Sequence, residues 1–307
     1  MWDVLPEEIH GVSLRIHTIM DFLEDYPDPN STFVVTEARD DSEIYARFFD
    51  YPKKCRLIFG QGRKTVESAF PIPVEAYQKR SIGIVDCDFD YANPEKQYPE
   101  WLIVTHTHDW ETMILSTPAF NLLLKKFEVK EKIEEFQKEK GCSILVSVLQ
   151  AAKPLGLLRL YNFLNTPEGQ KGLTFKGIDF LSFIDTKTLT ANLDNLINCV
   201  ISNSNCKESP WCDPIIIKKM LGELESKYSD DWVICQGHDV VAILSIGFEY
   251  IFGRINQVTY GSRTIQAQLK DPSICRREHI VDSVFHQKIL KWEKTHVPYR
   301  VLVDSLR

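Results

Sequence analysis

Acidic residues follow three stretches of the chain that have the composition of buried β-strands. Glu37 ends TFVVTE, Asp86 and Asp88 follow SIGIV, and Asp109 with Glu111 follows LIVTHTH. Functional groups that close neighbouring strands of an α/β sheet meet at its carboxyl edge. Carboxylates held close together repel one another unless a cation lies among them, so this pattern predicts a divalent metal site.

The pair Asp86 and Asp88 has the spacing best suited to sharing one ion. Residues two apart in an extended strand point to the same side, so both carboxylates would face the ion if the strand continued through Cys87. Mg²⁺ prefers oxygen ligands, and a bound divalent ion activates water and neutralises charge on a phosphodiester. A strand-end turn or a helix cap accounts for each acid taken singly, so the prediction depends on their combination.

Strands covered by helices are needed to position these acids. The predicted strands are TFVVTE, KCRLIFG, SIGIVDCD and LIVTHTHD, and the predicted helices between and after them are DDSEIYARFFD, RKTVESAF and WETMILSTPAFNLLLKKF, with a break at Pro118. Continuous apolar strands that alternate with helices are typical of a parallel sheet with both faces covered. The pattern therefore predicts an α/β fold.

Helical patterns dominate after about residue 120. They lie in KFEVKEKIEEFQKEK, which Gly141 would end, and in SILVSVLQAAKPLGLLRLYNFL, LTANLDNLINCVI, PIIIKKMLGELESKY, HDVVAILSIGFEYIFG and REHIVDSVFHQKILKWEKTH. FKGIDFLSFI and DWVICQG are predicted to return to the sheet as short strands. We therefore predict an α/β core over residues 1–120 and a mainly helical region or insertion over 121–307, of which 232–247 returns to the core.

Composition and charge limit the classes of protein to which the chain can belong. The 307-residue chain is 44% hydrophobic, enough to fill a core, and carries a formal net charge of −7. That charge repels nucleic acid in general. Local basic groups remain candidate contacts, although a solvated surface explains each equally well: Lys53, Lys54, Arg56, Arg63, Lys64, Arg276 and Arg277.

Targeting signals and cysteines indicate the compartment. The N-terminal MWDVLPEEIHGVSLRIH lacks the basic start and apolar centre of a signal peptide, and no uncharged apolar run approaches the roughly 18 residues of a membrane span, so we expect a cytoplasmic protein. The eight scattered cysteines then predict reduced thiols instead of disulfides. Cys199, Cys206 and Cys212 lack the paired spacing of a zinc site.

Four motifs together resemble a known family. TEARDD with SEIYARFF, FGQGRKTV, GIVDCDFD and THTHDWETMIL are similar to the Toprim-like nuclease domain of unknown function that is related to the overcoming-lysogenization-defect (OLD) nucleases. That family includes the Toprim effector of the PARIS anti-phage system. The resemblance covers roughly residues 32–116, and QGHDVVAIL at 236–244 resembles a later Gly-His-Asp motif. It implies a Toprim-like, parallel-rich sheet flanked by helices.

The resemblance also implies a catalytic acidic site that binds Mg²⁺ or Mn²⁺. By position, Glu37 is the first-strand acid, which binds metal or serves in acid/base catalysis, and Asp86 and Asp88 are the Asp-x-Asp pair. Asp90 is implied to support them. Family members usually have glycine after the first acid, where this chain has Ala38.

Further residues are implied by the same comparison of motifs. Asp41, Asp109 and Glu111 lie where related nucleases place additional metal-binding acids, and Lys64 lies where they often have a basic residue after a glycine-rich turn. His238 is implied to contact phosphate or to orient the acids. The alternative is a structural histidine at a helix start, with Asp239 as the cap; His106 and His108 are weaker candidates.

The function implied is a nuclease that cleaves phosphodiester bonds. By resemblance, an ABC-type ATPase partner holds the chain inactive and then releases it to form a homodimer and cleave tRNA; the residues themselves leave DNA and RNA both open. Two other functions stay open: a non-catalytic Toprim-derived interaction module bound to an ATPase, and a phosphotransfer or phosphatase enzyme. FGQGRKT lacks the spacing of a P-loop.

Overall fold

The computed structural model describes residues 28–60, 62–69, 78–206, 209–254 and 261–307, so the N-terminal segment on which the signal-peptide prediction depends lies outside them. The described chain divides into two units. The first holds the residues up to Val85, with Gln97–Val104 and Val281–Arg307. The second holds Asp86–Lys96 and Thr105–Ile280.

A four-stranded parallel sheet lies in the first unit. Its strands are β1 (Thr32–Thr36), β2 (Cys55–Phe59), β3 (Ser81–Val85) and β4 (Leu102–Val104), in the order β2-β1-β3-β4. Every residue of β1, β3 and β4 is buried, which explains why these strands are continuous runs without polar alternation. The predicted α/β class is confirmed.

Most of the α-helices lie within the predicted helical segments. In chain order they are α1 (Arg39–Tyr45), α2 (Arg63–Ala69), α3 (Trp110–Leu115), α4 (Ala119–Phe127), α5 (Lys130–Lys140), α6 (Ile144–Asn165), α7 (Leu193–Ser202), α8 (Pro214–Lys227), α9 (Asp231–Ile234), α10 (Gly237–Gly247), α11 (Ser262–Leu269) and α12 (Val284–Thr295). Helix α9 lies in a segment predicted as a strand, and α11 lies outside every predicted segment. In the first unit, α1 and α2 pack on the strands and α12 contacts β4. The break at Pro118 and the stop at Gly141, which has a φ of 69°, are both confirmed.

Helix α6 is the centre of the second unit. Its start is capped by Ser143, whose hydroxyl accepts a hydrogen bond from Val146 N, and it packs against α5, α7, α8, α9 and α10. Within the described chain it alone is long and apolar enough to cross a membrane by length and composition, yet 67% of that stretch is buried inside the protein. Such burial is typical of a core helix.

Two predicted strands are wrong. FKGIDFLSFI contains a short 3₁₀ turn at Phe180–Ser182, and DWVICQG contains α9. In each case an aspartate precedes the turn and accepts a backbone N–H two residues later: Asp179 from Leu181 N and Asp230 from Trp232 N, both at 3.0 Å. This local hydrogen bonding favours helical turns over a strand.

The prediction of reduced cysteines is wrong for one pair. Cys206 and Cys212 form a disulfide across a loop, with Cα atoms 6.3 Å apart, which is within the range that a disulfide spans. Because both sulfur atoms are bonded, neither is available as a thiolate ligand for zinc. Cys199 and the other five cysteines are free thiols.

Candidate metal site

The Asp86 and Asp88 pair does not have the strand geometry on which its metal prediction depended. Strand β3 ends at Val85, and Asp88 has a left-handed φ of 47°. The backbone turns there because Cys87 N donates to Thr105 Oγ1 and Asp88 N donates to His108 O, both at 2.9 Å. The two carboxylates therefore cannot share an ion through strand alternation.

Asp90 and His108 complete this turn. Asp90 begins a short 3₁₀ helix and forms a 2.6 Å ion pair with Lys96. His108 is buried, and its Nδ1 lies 2.9 Å from Val233 O, so this nitrogen carries the proton. Its Nε2 lies 4.0 Å from Asp88 Oδ1. The loop after β3 thus contacts the segment THTHD (residues 105–109) at His108.

Asp109 is the N-terminal cap of α3. Its Oδ1 accepts from Thr112 N and lies 2.9 Å from the Thr112 hydroxyl, while its Oδ2 accepts from Gly237 N at 2.6 Å. The Asp-x-x-Thr spacing is the sequence signal for such a cap. Since each carboxylate oxygen has about two acceptor sites and Oδ2 accepts one hydrogen bond from Gly237 N, Oδ2 keeps an acceptor site for a metal.

Glu111 is the most deeply enclosed acid of this cluster. Its side chain is 1% exposed, and its Oε1 accepts from Gln266 Nε2 at 2.7 Å and lies 3.4 Å from His238 Nδ1. Gln266 Nε2 also lies 3.2 Å from His238 Nε2. The imidazole of His238 is 64% exposed, so it can reorient toward a ligand at the surface of the cluster.

Asp109, Glu111 and His238 form a candidate metal site. One ligand atom from each lies within 4.8 Å of the others, whereas ligands about 2.1 Å from an ion are at most about 4.2 Å apart, so the three groups are within a small adjustment of sharing one ion. Two carboxylates and an imidazole are a suitable donor set for a divalent cation. The predicted ligands Asp109 and Glu111 thus lie together with His238.

Helix α10 is held in place by a buried ion pair next to His238. Asp239 is almost fully buried and accepts two hydrogen bonds from Arg159, of 2.7 Å from Nε and 2.9 Å from Nη2. Burial raises the pKa of Asp239, and the Arg159 guanidinium opposes that rise. Asp239 therefore anchors α10, and with it His238, to α6.

The remaining predicted residues lie in the first unit. Asp41 is buried and its Oδ2 accepts from Ala38 N at 2.8 Å, so it helps to cap α1. Ala38 has φ −139°, so the turn after Glu37 does not need a glycine at this position. Gly62 has φ 92° and donates to Glu37 O, and the exposed Lys64 follows it in α2.

Sequence reasoning missed Gln266 and Arg159. Both bind residues that lie far away in the chain, Glu111 and Asp239, so no local spacing marks them. The one signal for Arg159 was its position within the apolar α6 segment, because a charged residue that is buried is usually paired.

No family model matches the chain, and no curated protein is significantly similar to it.

The close contact of α10 with the candidate site gives a testable prediction. A Cβ atom on Gly237 would overlap Asp109 Oδ1 and Glu111 Cβ. We expect Gly237→Ala to lower the free energy of unfolding by about 1–3 kcal/mol, as overpacking does, measured by urea denaturation. Gly222→Ala is the matched control, because its Cβ would meet nothing within 4 Å. Equal stability of the two variants would contradict the packing described.

Proposed function

We propose that this protein is a divalent-metal-dependent nuclease of Toprim type. The observation that carries the proposal is the grouping of Asp109, Glu111 and His238, whose ligand atoms lie within 4.8 Å of one another. A bound divalent cation supplies an activated water and charge neutralisation for hydrolysis of a phosphodiester. The resemblance to Toprim nucleases, together with this donor set, supports nuclease chemistry over the other open functions.

The residues of the candidate site have different roles in the proposed hydrolysis. Buried Glu111 offers an anionic ligand that Gln266 orients, and Asp109 offers its remaining acceptor on Oδ2. Exposed His238 can bind the ion or contact a phosphate oxygen. Asp88, on the turn held to His108 O, supplies further negative charge in the same unit.

The resemblance assigns roles to other residues within the proposal. Glu37 is the first-strand catalytic acid, Asp86 and Asp88 are the Asp-x-Asp pair, and Lys64 contacts phosphate. Asp41 is assigned as a metal ligand, and its cap hydrogen bond from Ala38 N makes it the weakest of these assignments.

The biological setting proposed is anti-phage defence in the cytoplasm. By resemblance, the protein is the toxic effector of a PARIS-type system, which an ABC-type ATPase holds inactive and which acts as a homodimer on tRNA. The net charge of −7 supports a structured RNA substrate over indiscriminate binding of DNA.

Metal removal tests the proposed chemistry. We expect the purified protein to cut RNA in Mn²⁺ or Mg²⁺, to lose all cutting in excess EDTA, and to regain it when Mn²⁺ is restored, because in the proposed chemistry the bound cation activates the water and neutralises charge on the phosphodiester. Gel analysis of a labelled tRNA pool and a labelled DNA measures this. Cutting that persists in EDTA, or no cutting of either substrate with any divalent metal, would reject the proposal.

A second candidate function is a non-catalytic interaction module bound to an ATPase. It is favoured by the cap roles of Asp109 and Asp41, which give two of the implied metal ligands a structural task. Co-expression with a neighbouring ATPase followed by size-exclusion chromatography and Mn²⁺ titration separates the two. A module would co-elute with the ATPase and bind no metal.

A further inference from the structure

A cavity of about 400 Å³ lies in the second unit beside the candidate metal site. His238 and Gln266, which contact Glu111, form part of its lining. Its volume falls in the range of pockets that hold small ligands, roughly 300–1,000 Å³. The cavity is therefore large enough for one nucleotide and not for a duplex.

Aromatic rings form one wall of this cavity. Phe175 and Phe180 both line it. The guanidinium of Arg159 lies over the Phe175 ring at 4.5 Å and is itself fixed by two hydrogen bonds to Asp239, while Phe180 packs against Phe183 with ring centroids 5.4 Å apart. Contacts with Arg159 and Phe183 thus hold both rings in place.

The charges that line the cavity leave one cation available to a ligand. Arg159 and Asp239 form an ion pair, so neither of these two charges is available to a ligand. Arg263 is exposed and, among the residues that the structure describes, forms no ion pair. The lining thus combines a positive guanidinium and an imidazole with two phenyl rings, and this combination suits a ligand that has an anionic part and a flat aromatic part.

We propose that this cavity binds one nucleotide of the substrate strand, with its base against Phe175 and Phe180 and its phosphate toward Arg263 and His238. This assignment rests on the proposed nuclease function and deepens it by naming the substrate class. A base can stack on protein rings only when it is unstacked from its neighbours, so the substrate is a single-stranded or looped segment of nucleic acid. Arg263 and His238 line the same cavity, and His238 also belongs to the candidate metal site.

Equilibrium binding in EDTA tests this assignment without requiring catalysis. Fluorescence anisotropy with a labelled single-stranded RNA octanucleotide is expected to give at least about tenfold weaker binding for Phe180→Ala and for Arg263→Ala. Phe180→Leu retains apolar volume without a flat ring, and is expected to weaken binding as much as Phe180→Ala. The matched controls are Leu181→Ala, in the same turn, and Lys219→Ala, an exposed charge on α8; both should stay within about twofold of the wild type.

Each outcome of the binding experiment either supports or overturns the assignment of the cavity as a nucleotide site. Loss of binding in the Phe180 and Arg263 variants supports the assignment of the cavity as a nucleotide site. It does so even if the same preparation fails to cut RNA with Mn²⁺, because a failure to cut would count against the proposed nuclease function alone. Unchanged binding in folded Phe180→Ala and Arg263→Ala overturns the assignment while leaving metal-dependent cutting intact. Binding of a free mononucleotide with no binding of the octanucleotide also overturns it, because the ligand would then not be a strand.

Discussion

Replacing Arg159 with methionine is expected to lower the free energy of unfolding by about 3–5 kcal/mol. The side chain of Asp239 is 4% exposed, and both of its oxygens accept hydrogen bonds from Arg159. Methionine preserves much of the packing but leaves a buried carboxylate without its cation. The cost is large because the carboxylate must either stay charged in an apolar environment or take up a proton.

Urea denaturation with two further variants checks this prediction. Lys153→Met on the same helix removes the 3.0 Å pair with Asp231, whose side chain is 29% exposed, and should cost less than about 1 kcal/mol. Adding Asp239→Asn to Arg159→Met should recover part of the stability, because the buried charge is then gone. A cost for Arg159→Met no larger than that for Lys153→Met would show that the buried pair does not anchor α10.

Glu111→Gln is expected to lower the rate of Mn²⁺-dependent RNA cutting by at least about 100-fold. Glutamine keeps the shape of the side chain and an oxygen that can accept from Gln266, but removes the negative charge that would bind the cation. Changes to groups that only orient a ligand already cost about 10–100-fold in metal affinity or activity, and the loss of a ligand should cost more.

A control separates this effect from a general change in charge. Glu131→Gln removes an exposed carboxylate at the start of α5 in the same unit and should leave cutting within about twofold of the wild type. Initial rates on one labelled RNA at saturating Mn²⁺ provide the comparison. Equal rates for Glu111→Gln and Glu131→Gln would remove Glu111 from the site.

The sheet and the helices could be predicted from the sequence because their patterns are local. TFVVTE and SIGIV are strands in the structure because their residues are buried on both faces, which requires continuous apolar runs. The errors arose where a single aspartate competes with the apolar pattern. Asp179 and Asp230 bind the backbone N–H two residues on and start helical turns in segments whose apolar residues suggest strands.

The candidate site could be predicted only in part. Asp109 and Glu111 were identified from their position after a strand, and His238 from a short motif, but their grouping depends on contacts across 128 residues, such as Gly237 N to Asp109 Oδ2. No pattern in the sequence gives such a distance. The strand geometry expected of Asp86 and Asp88 failed because hydrogen bonds to Thr105 and His108 turn the backbone immediately after β3.

Isothermal titration of Mn²⁺ into the wild-type protein and into Glu111→Gln tests the central claim most directly. Asp109, Glu111 and His238 predict one Mn²⁺ site in the wild type, and at least about 100-fold weaker binding in Glu111→Gln, with the unfolding free energy of both proteins compared as a control. A wild type that binds no Mn²⁺, or a folded Glu111→Gln that binds it equally well, would contradict the account.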